Sequence, residues 1–552
     1  MRNIIRLASI AVAFLFSGTL NAQNSLNAQI TERGFANPVI PGYYPDPSVC
    51  CVGDDFYLVN STFQFFPGVP VWHSKDLIHW EQIGNVLSRA SQVDLSKGGA
   101  SSGIFAPTIR YNDGKFYMIT TNINMLFGGK AGNFIVTAEN PAGPWSDPIF
   151  IPGIDGIDPS LFWEDGKMYV CWSAMDHIGL VELDPVTFQK KGEPRNIWDG
   201  DGDSSPEGPH IYKKDGFYYL MIAEGGTEMG HKVNIARSKN IDGPYTSCPM
   251  NPILTQKRKE SASSLIQGAG HPDLVQAPDG SWWMVYLAFR NSAGKQLHTL
   301  GRETCLAPVR WDEGAWPVVN AKGYVDVHMN CPTLPQVLMN QPAAKTEFSK
   351  GKQLGFEWIY INNPITSNYV YAKNQLQLKA TGVSIDHPTQ TPTFVAKRQS
   401  DINCTVTTQL SLTDAQLGDR AGLTVYMDPK GHYDIALKAN ADGTQQIELS
   451  YRLGQMKHIE KSVKLNAKKP VQLRVECTNA LYRFSYSTDG KSFLPLSEMD
   501  TYFLATETLG GFTGVLFGLF AEGDTNTKAS CNVDWFDYQP GKEYVEKSMF
   551  GN

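Results

Sequence analysis

Five times between residues 46 and 286 the chain repeats one pattern of apolar and polar positions. A proline opens a short apolar strand, a polar turn follows, and a second strand is rich in aromatic residues. The copies read DPSVCCVGDDFYLV from Asp46, APTIRYNDGKFYMI from Ala106, DPSLFWEDGKMYVC from Asp158, GPHIYKKDGFYYLM from Gly208 and HPDLVQAPDGSWWMVY from His271. Asp-Gly between alternating apolar residues is a strong hairpin signal. The prolines stand at 47, 107, 159, 209 and 272, so the steps are 60, 52, 50 and 63 residues, enough for a four-stranded sheet per copy. Segments such as FIVTAENPAGPW, GLVELDPVTF and VNIARSKNIDGPY supply the outer strands. Regular repetition of small sheets predicts a radial array, here a five-bladed β-propeller over residues 23–327. Long amphipathic helical patterns are absent, which argues against a barrel of alternating strands and helices.

The blade pattern then stops. Residues 328–345, with the proline-rich CPTLPQVLMNQPAAK, read as a linker. From 346 to 552 segments such as GLTVYMDPKGHYDIALKA, QIELSYRL, VQLRVEC and YRFSYSTDGKSF alternate apolar and polar residues between Gly, Asp and Asn turns. That is the pattern of an antiparallel β-sandwich, and the chain as a whole is expected to be all-β.

Composition narrows the partners. A chain of 552 residues, 42% hydrophobic, can bury two cores, and its formal charge of −7 offers no footprint for nucleic acid or an anionic membrane surface. An uncharged partner fits better. The opening MRNIIRLASIAVAFLFSGTLNAQ has early arginines, an apolar stretch too short to span a bilayer, and small residues up to Ala22. Residues 1–22 therefore read as a secretory signal, and Gln23, not Cys, gives no lipoprotein anchor. The mature protein is expected in a periplasm or outside the cell, free of the membrane; its oligomeric state is not legible. Nine cysteines without dense spacing or a CxxC pair read mostly as core filler. Adjacent Cys50 and Cys51 should point to opposite faces of a strand.

Radial symmetry brings equivalent positions together around one axis. The residues ahead of the five prolines are Asp46, Ala106, Asp158, Gly208 with Glu207 beside it, and His271. Asp before Pro commonly starts a turn and by itself needs no chemistry. Three carboxylates and an imidazole at matching repeat positions suggest more. Two carboxylates across a sugar can hydrolyse a glycosidic bond, one protonating the leaving oxygen and the other activating water or attacking the anomeric carbon. A third can orient the acid and shift its pKa.

In order, PDPS, IDPS and SPEGPHI resemble glycoside hydrolase family 43 over roughly residues 36–325. The resemblance implies a five-bladed, anomer-inverting enzyme that needs no cofactor. It makes Asp46 the general base, Asp158 the orienter and pKa modulator, and Glu207 the general acid, kept protonated by desolvation and the Asp158 charge. Inversion leaves room for water, so the Asp46 and Glu207 carboxyls should lie about 6.5–9.5 Å apart. His271 in GAGHPD matches a channel histidine that contacts a water or an ion, which makes a structural, non-catalytic Ca²⁺ held through water one reading and a hydrogen-bonded neutral imidazole the other. Arg302 in LGRETCL matches an arginine aimed at substrate hydroxyls, with a salt bridge to Glu303 as the alternative. Phe105 stands where the family often has Trp, and Phe63 and Trp72 are further candidates for sugar stacking or for core.

The second domain resembles the concanavalin-like sandwich of β-xylosidase-type members. Its GGFTGVLFGLF would send Phe512 into the pocket if it is not ordinary core. A capped pocket favours chain ends, so the resemblance implies a secreted exo-glycosidase taking terminal β-xylosyl or α-L-arabinofuranosyl residues from plant cell-wall polysaccharides or oligosaccharides. A catalytically silent sugar-binding propeller, and a retaining enzyme of the sucrose and fructan type, remain open alternatives here.

Overall fold

The computed structural model describes residues 34–96, 98–123, 131–291, 297–331, 333–348, 354–466 and 469–541; the expected signal segment lies outside them. Each repeat becomes one antiparallel sheet of four main strands. Blade I comprises Ser48–Val52, Asp55–Val59, Gly68–Ser74 and Glu81–Leu87, and blade II comprises Thr108–Asn112, Lys115–Ile123, Gly132–Ala138 and Ile149–Phe150. Blade III comprises Ile157–Glu164, Lys167–Ser173, Ile178–Leu183 and Lys190–Trp198. Blade IV is built on Glu207–Lys214, Phe217–Glu224, Lys232–Ser238 and Thr246–Ser247, and blade V on Ile266–Gln276, Trp282–Arg290, Glu303–Arg310 and Val318–Val319. The first strands of the blades touch in a closed ring, I to II to III to IV to V and back to I.

The hairpins form where the sequence places them. Asp113-Gly114, Asp165-Gly166 and Asp215-Gly216 all have positive φ at both residues, the geometry a two-residue turn between twisted strands demands. The apolar residues of the strands pack blade against blade: Val59, Val71, Ile109 and Met118 between I and II, and Leu180, Ile211, Leu220 and Ile222 between III and IV. Gly34–Ala36 pairs with His328–Asn330, inside the stretch expected as linker, so the chain leaving blade V meets its own beginning.

The second domain stacks a six-stranded sheet on an eight-stranded one. Leu376, Val406, Leu423, Leu437, Leu473, Phe517 and Val533 fill the space between them. All nine cysteines are free thiols, eight of them buried; only Cys51 reaches the surface, opposite buried Cys50. Tyr360–Ile361 of this domain pairs with Phe65–Phe66 of the propeller. Tyr43, Phe63 and Phe65 share an apolar cluster with Ile359, Phe394, Tyr426, Leu516 and Phe520, which seats the sandwich beside the propeller axis.

A buried charge in the sandwich has a measurable consequence. His432 lies between Asp434 (Nδ1 to Oδ1, 2.9 Å) and Asp386 (Nε2 to Oδ1, 2.7 Å). Burial alone would lower its pKa, but the two carboxylates raise it to about 9. A raised histidine contributes stability fully present below the unfolded value of about 6.5 and lost as pH rises through its folded value. Calorimetry should show the sandwich Tm falling from about pH 6.5 through about 9, and His432→Asn should flatten that descent.

Candidate active site

The repeat aims its side chains by backbone conformation. Asp46, Asp158 and His271, each just ahead of a proline, have φ of 53°, 55° and 48°. Asp and His are among the few residues other than glycine that enter the left-handed region readily, and such strain concentrates at functional sites. In blade IV the equivalent position is Gly208, φ 58°. A Cβ there would lie 3.1–3.2 Å from the His271 ring, a tight fit that favours glycine, and the acid stands one residue back, at Glu207. Ala106 in blade II does not adopt the conformation.

Asp46 is buried, with an oxygen 3.0 Å from the Arg302 Nη1 donor and a short hydrogen bond from the Ser61 hydroxyl on the other. His271 Nδ1 is 3.9 Å from the same carboxylate. Burial pulls the Asp46 pKa up, but Arg302, His271 and the Ser61 bond outweigh it and hold the carboxyl below the ordinary range. Asp158 accepts from the backbone N–H of Gly208 at 3.1 Å, so it braces the residue next to Glu207. Glu207 is raised to about 7, first by burial and then by the Asp46 charge, against the pull of Arg302. Glu207 and Asp158 lie close enough for each one's charge to oppose the other's. Asp158 is itself pushed well up, by burial, then by Glu207 and Asp46. Asp158 and Glu207 thus titrate as a pair that holds a proton near neutral pH, facing an ionised Asp46.

Arg302 does not pair with Glu303, which binds Arg290 instead (2.7 and 2.8 Å). Its Nη1 also donates to Thr227 Oγ1 at 2.7 Å, and its guanidinium lies 5.8 Å from the Phe63 ring and 5.5 Å from the Phe512 ring. Phe512 comes from the sandwich and stacks on Phe63 (centroids 5.6 Å, 24°), while Phe105 meets both edge-on. The loop is tied down where it crosses: Phe512 N donates to Ser101 Oγ at 2.9 Å, and a Cβ on Gly514 would sit 2.4 Å from the Leu300 carbonyl oxygen. Aromatic rings from both domains therefore gather beside the guanidinium that holds Asp46.

The wider similarity now has a site to attach to. Residues 35–317 match the family model described as glycosyl hydrolases family 43, and residues 345–539 match the beta xylosidase C-terminal concanavalin A-like domain. The chain belongs to glycoside hydrolase family 43. It is 40% identical to a non-reducing end alpha-L-arabinofuranosidase of Bacteroides ovatus, over 98% of this chain and 99% of that one. A xylosidase/arabinosidase of Butyrivibrio fibrisolvens is 37% identical over 91% and 98% of the two chains. Among solved structures, the GH43B protein of a Bacteroides ovatus xyloglucan locus superposes with TM-score 0.87 at 39% identity, covering 92% of this chain and all of that one. A xylan beta-1,4-xylosidase from Bacillus halodurans gives 0.86 at 32% identity, covering 91% and 99%. This family 43 chain is a glycoside hydrolase of the β-xylosidase and α-L-arabinofuranosidase type, a five-bladed propeller followed by a sandwich.

Trp72, a candidate for sugar stacking or for core, packs in the propeller core. In this family 43 propeller its ring packs edge-on against Tyr44 (4.9 Å, 87°), and its indole N–H donates to Asn60 Oδ1 at 3.0 Å. Asn60 in turn donates to the carbonyl of Pro45, at 2.9 Å. Trp72 therefore braces the turn that presents Asp46, on the side of a cavity of about 520 Å³ between the domains. Ser61 and Thr227 were not singled out by pattern. Their partners lie 15 and 75 residues away, beyond the reach of any local periodicity.

His271 has its pKa lowered by burial, against the nearby Asp46 charge, and its ring faces Gly208. Calcium takes six to eight oxygen ligands. The carboxylates near His271 along the axis are already engaged, Asp46 by Arg302 and Ser61, and Asp273 by Arg110, Ser48 and Tyr212. Among the described residues no group of three or more His, Cys, Asp or Glu side chains could hold a metal ion. The donor set does not fit a calcium ligated directly by these side chains.

Proposed function

We propose that this enzyme is an inverting exo-glycosidase releasing terminal α-L-arabinofuranosyl residues first and β-xylosyl residues second. The observation that carries the reading is the convergence of three carboxyls at matching repeat positions, with Asp46 paired to Arg302 and Asp158 on the N–H beside Glu207. Asp46, held ionised by Arg302, takes a proton from water as the water attacks the anomeric carbon. Glu207, held protonated up to about pH 7, gives its proton to the departing oxygen. Asp158 keeps Glu207 in place through the Gly208 N–H. Inversion requires the Asp46–Glu207 carboxyl gap of about 6.5–9.5 Å. The order of substrates rests on the relative at 40% identity over nearly the whole chain, named a non-reducing end alpha-L-arabinofuranosidase; xylosidases among the other relatives support the second. Phe512, stacked on Phe63 beside Arg302, supports action at chain ends, with arabinose- or xylose-bearing plant cell-wall glycans as the natural source. The opening 22 residues support export, and N-terminal sequencing of protein recovered outside the cytoplasm should begin at Gln23.

The test is a panel of aryl α-L-arabinofuranosides and β-xylosides with the released anomer followed by proton NMR. Arabinoside hydrolysis with immediate inversion is the expected result. Initial retention would overturn the mechanism in favour of a nucleophilic Asp46, and no hydrolysis of either series would favour a sugar-binding propeller.

The part played by Phe512 is testable with the same substrates. Phe512→Ala removes an aromatic contact of about 0.5–1.5 kcal/mol, so KM for the aryl arabinofuranoside should rise about threefold to tenfold with kcat changed less. An unchanged KM would place Phe512 outside the substrate site.

A further inference from the structure

Below the acids lies a second polar layer built on the same strands. Ser48 is two residues after Asp46, Ser160 two after Asp158, His210 three after Glu207 and Asp273 two after His271; Arg110 comes from the first strand of blade II. Two residues of strand place this layer roughly 7 Å beneath the acids. Asp273 is fully buried and accepts from five donors. Arg110 Nη1 (2.7 Å), Ser48 Oγ (2.7 Å) and the Val49 N–H (3.0 Å) reach one oxygen; Tyr212 OH (2.6 Å) and Arg110 Nη2 (3.1 Å) reach the other. Arg110 Nη2 also donates to His210 Nδ1 at 2.8 Å, and that nitrogen takes the Ser160 hydroxyl at 2.8 Å. The Arg110 Nη1 reaches Ser48 Oγ as well, at 3.1 Å. Every blade contributes: Ser48 from I, Arg110 from II, Ser160 from III, His210 and Tyr212 from IV, Asp273 from V.

We infer that Arg110 and Asp273 form a five-blade clasp that fixes the spacing and the dryness of the acid layer above it, and so act as positioning residues for the hydrolysis. The inference rests on the reading of Asp46 and Glu207 as base and acid. A single fork-shaped cation bound on both sides ties five strands that have no hydrogen-bonded ladder between blades. In the four blades that carry Asp46, Asp158, Glu207 and His271, a network residue follows within three positions. Misplacement of a reacting group by about 1 Å can cost about 100-fold in rate, so slack in this layer reaches the chemistry directly.

Removing one partner alone strands a buried charge and threatens folding. The informative variants are therefore the neutral pair Arg110→Gln with Asp273→Asn, and Arg110→Lys, which keeps the charge and loses the fork. Two readouts are needed: kcat and KM on an aryl arabinofuranoside per folded molecule, and the titration of Glu207 by carbon NMR of labelled carboxyls. In the double variant kcat should fall at least tenfold with KM within threefold, and the Glu207 midpoint should drop from about 7 toward 4.5 as water enters. Arg110→Lys should fall between the double variant and wild type. Wild-type kcat together with an unmoved midpoint, whatever the Tm, would overturn the clasp and leave a purely structural network. A wild type that cleaves no pentoside would refute the substrate reading, and the midpoint alone would then decide the clasp. If the double variant does not fold, Arg110→Lys decides by the same two readouts.

Discussion

Asp46→Asn should lower kcat about 10³- to 10⁴-fold, by the same factor for good and poor leaving groups. The substitution keeps the size of the side chain and an oxygen for the Ser61 hydroxyl, so the turn held by Asn60 and Trp72 has no reason to move. What the amide cannot do is accept a proton from water. Positioned acid–base groups contribute about 10²–10⁴ in rate, and the upper end applies because Asp46 also supplies the anion that Arg302 is bound to at 3.0 Å. With that anion gone, the guanidinium is left buried beside a neutral amide and its pull on Glu207 is no longer balanced. The Glu207 midpoint should therefore fall, since the Asp46 charge is one of the two influences holding it up. Single-turnover rates on aryl arabinofuranosides of graded leaving-group acidity check the first statement, and carboxyl NMR checks the second. Turnover within tenfold of wild type would remove Asp46 from the chemistry.

Much of this could be read before any coordinates. The five proline-led repeats give the blades and the ring, because a hairpin with an Asp-Gly turn is a local property and five similar sheets have one economical way to bury their faces. They also give the convergence of Asp46, Asp158, Glu207 and His271. What the sequence does not show is the backbone that aims them: a left-handed conformation ahead of four of the five prolines, at Asp46, Asp158, Gly208 and His271, with Ala106 the exception. Long-range pairings were equally hidden. Arg302 prefers Asp46 and Thr227 to its neighbour Glu303 because Arg290 already neutralises Glu303, a fact of two adjacent strands in blade V rather than of sequence order. Sequence leaves Trp72 between sugar stacking and core because its partner, the buried Asn60 amide, is fixed only by the fold. Phe512 could be suspected only from resemblance, since nothing local distinguishes a sandwich loop that crosses to another domain from one that does not.

Glu207→Gln should separate substrates by leaving group. For an alkyl or sugar leaving group, which must be protonated as it departs, kcat should fall about 10³- to 10⁴-fold; for a dinitrophenolate, stable as an anion, the fall should stay within about tenfold. The wild-type pH profile carries the same assignment. Glu207 works as an acid only while protonated, and its pKa is raised from 4.5 to about 7, so kcat/KM should hold below that value and decline as pH rises through it. Asp46 must be ionised, and its lowered pKa puts the acid-side decline below the ordinary carboxylate range, leaving a plateau across mildly acidic pH. Because Asp158 and Glu207 share the titration, the alkaline limb belongs to the pair, and the variant tells the members apart. In Glu207→Gln the residual activity on the dinitrophenyl substrate should lose its alkaline limb altogether. In Asp158→Asn a limb should remain, because Glu207 still titrates. If the limb near pH 7 survives in Glu207→Gln, the proton donor is another group. If poor and good leaving groups lose activity equally, Glu207 holds the substrate and does not protonate it.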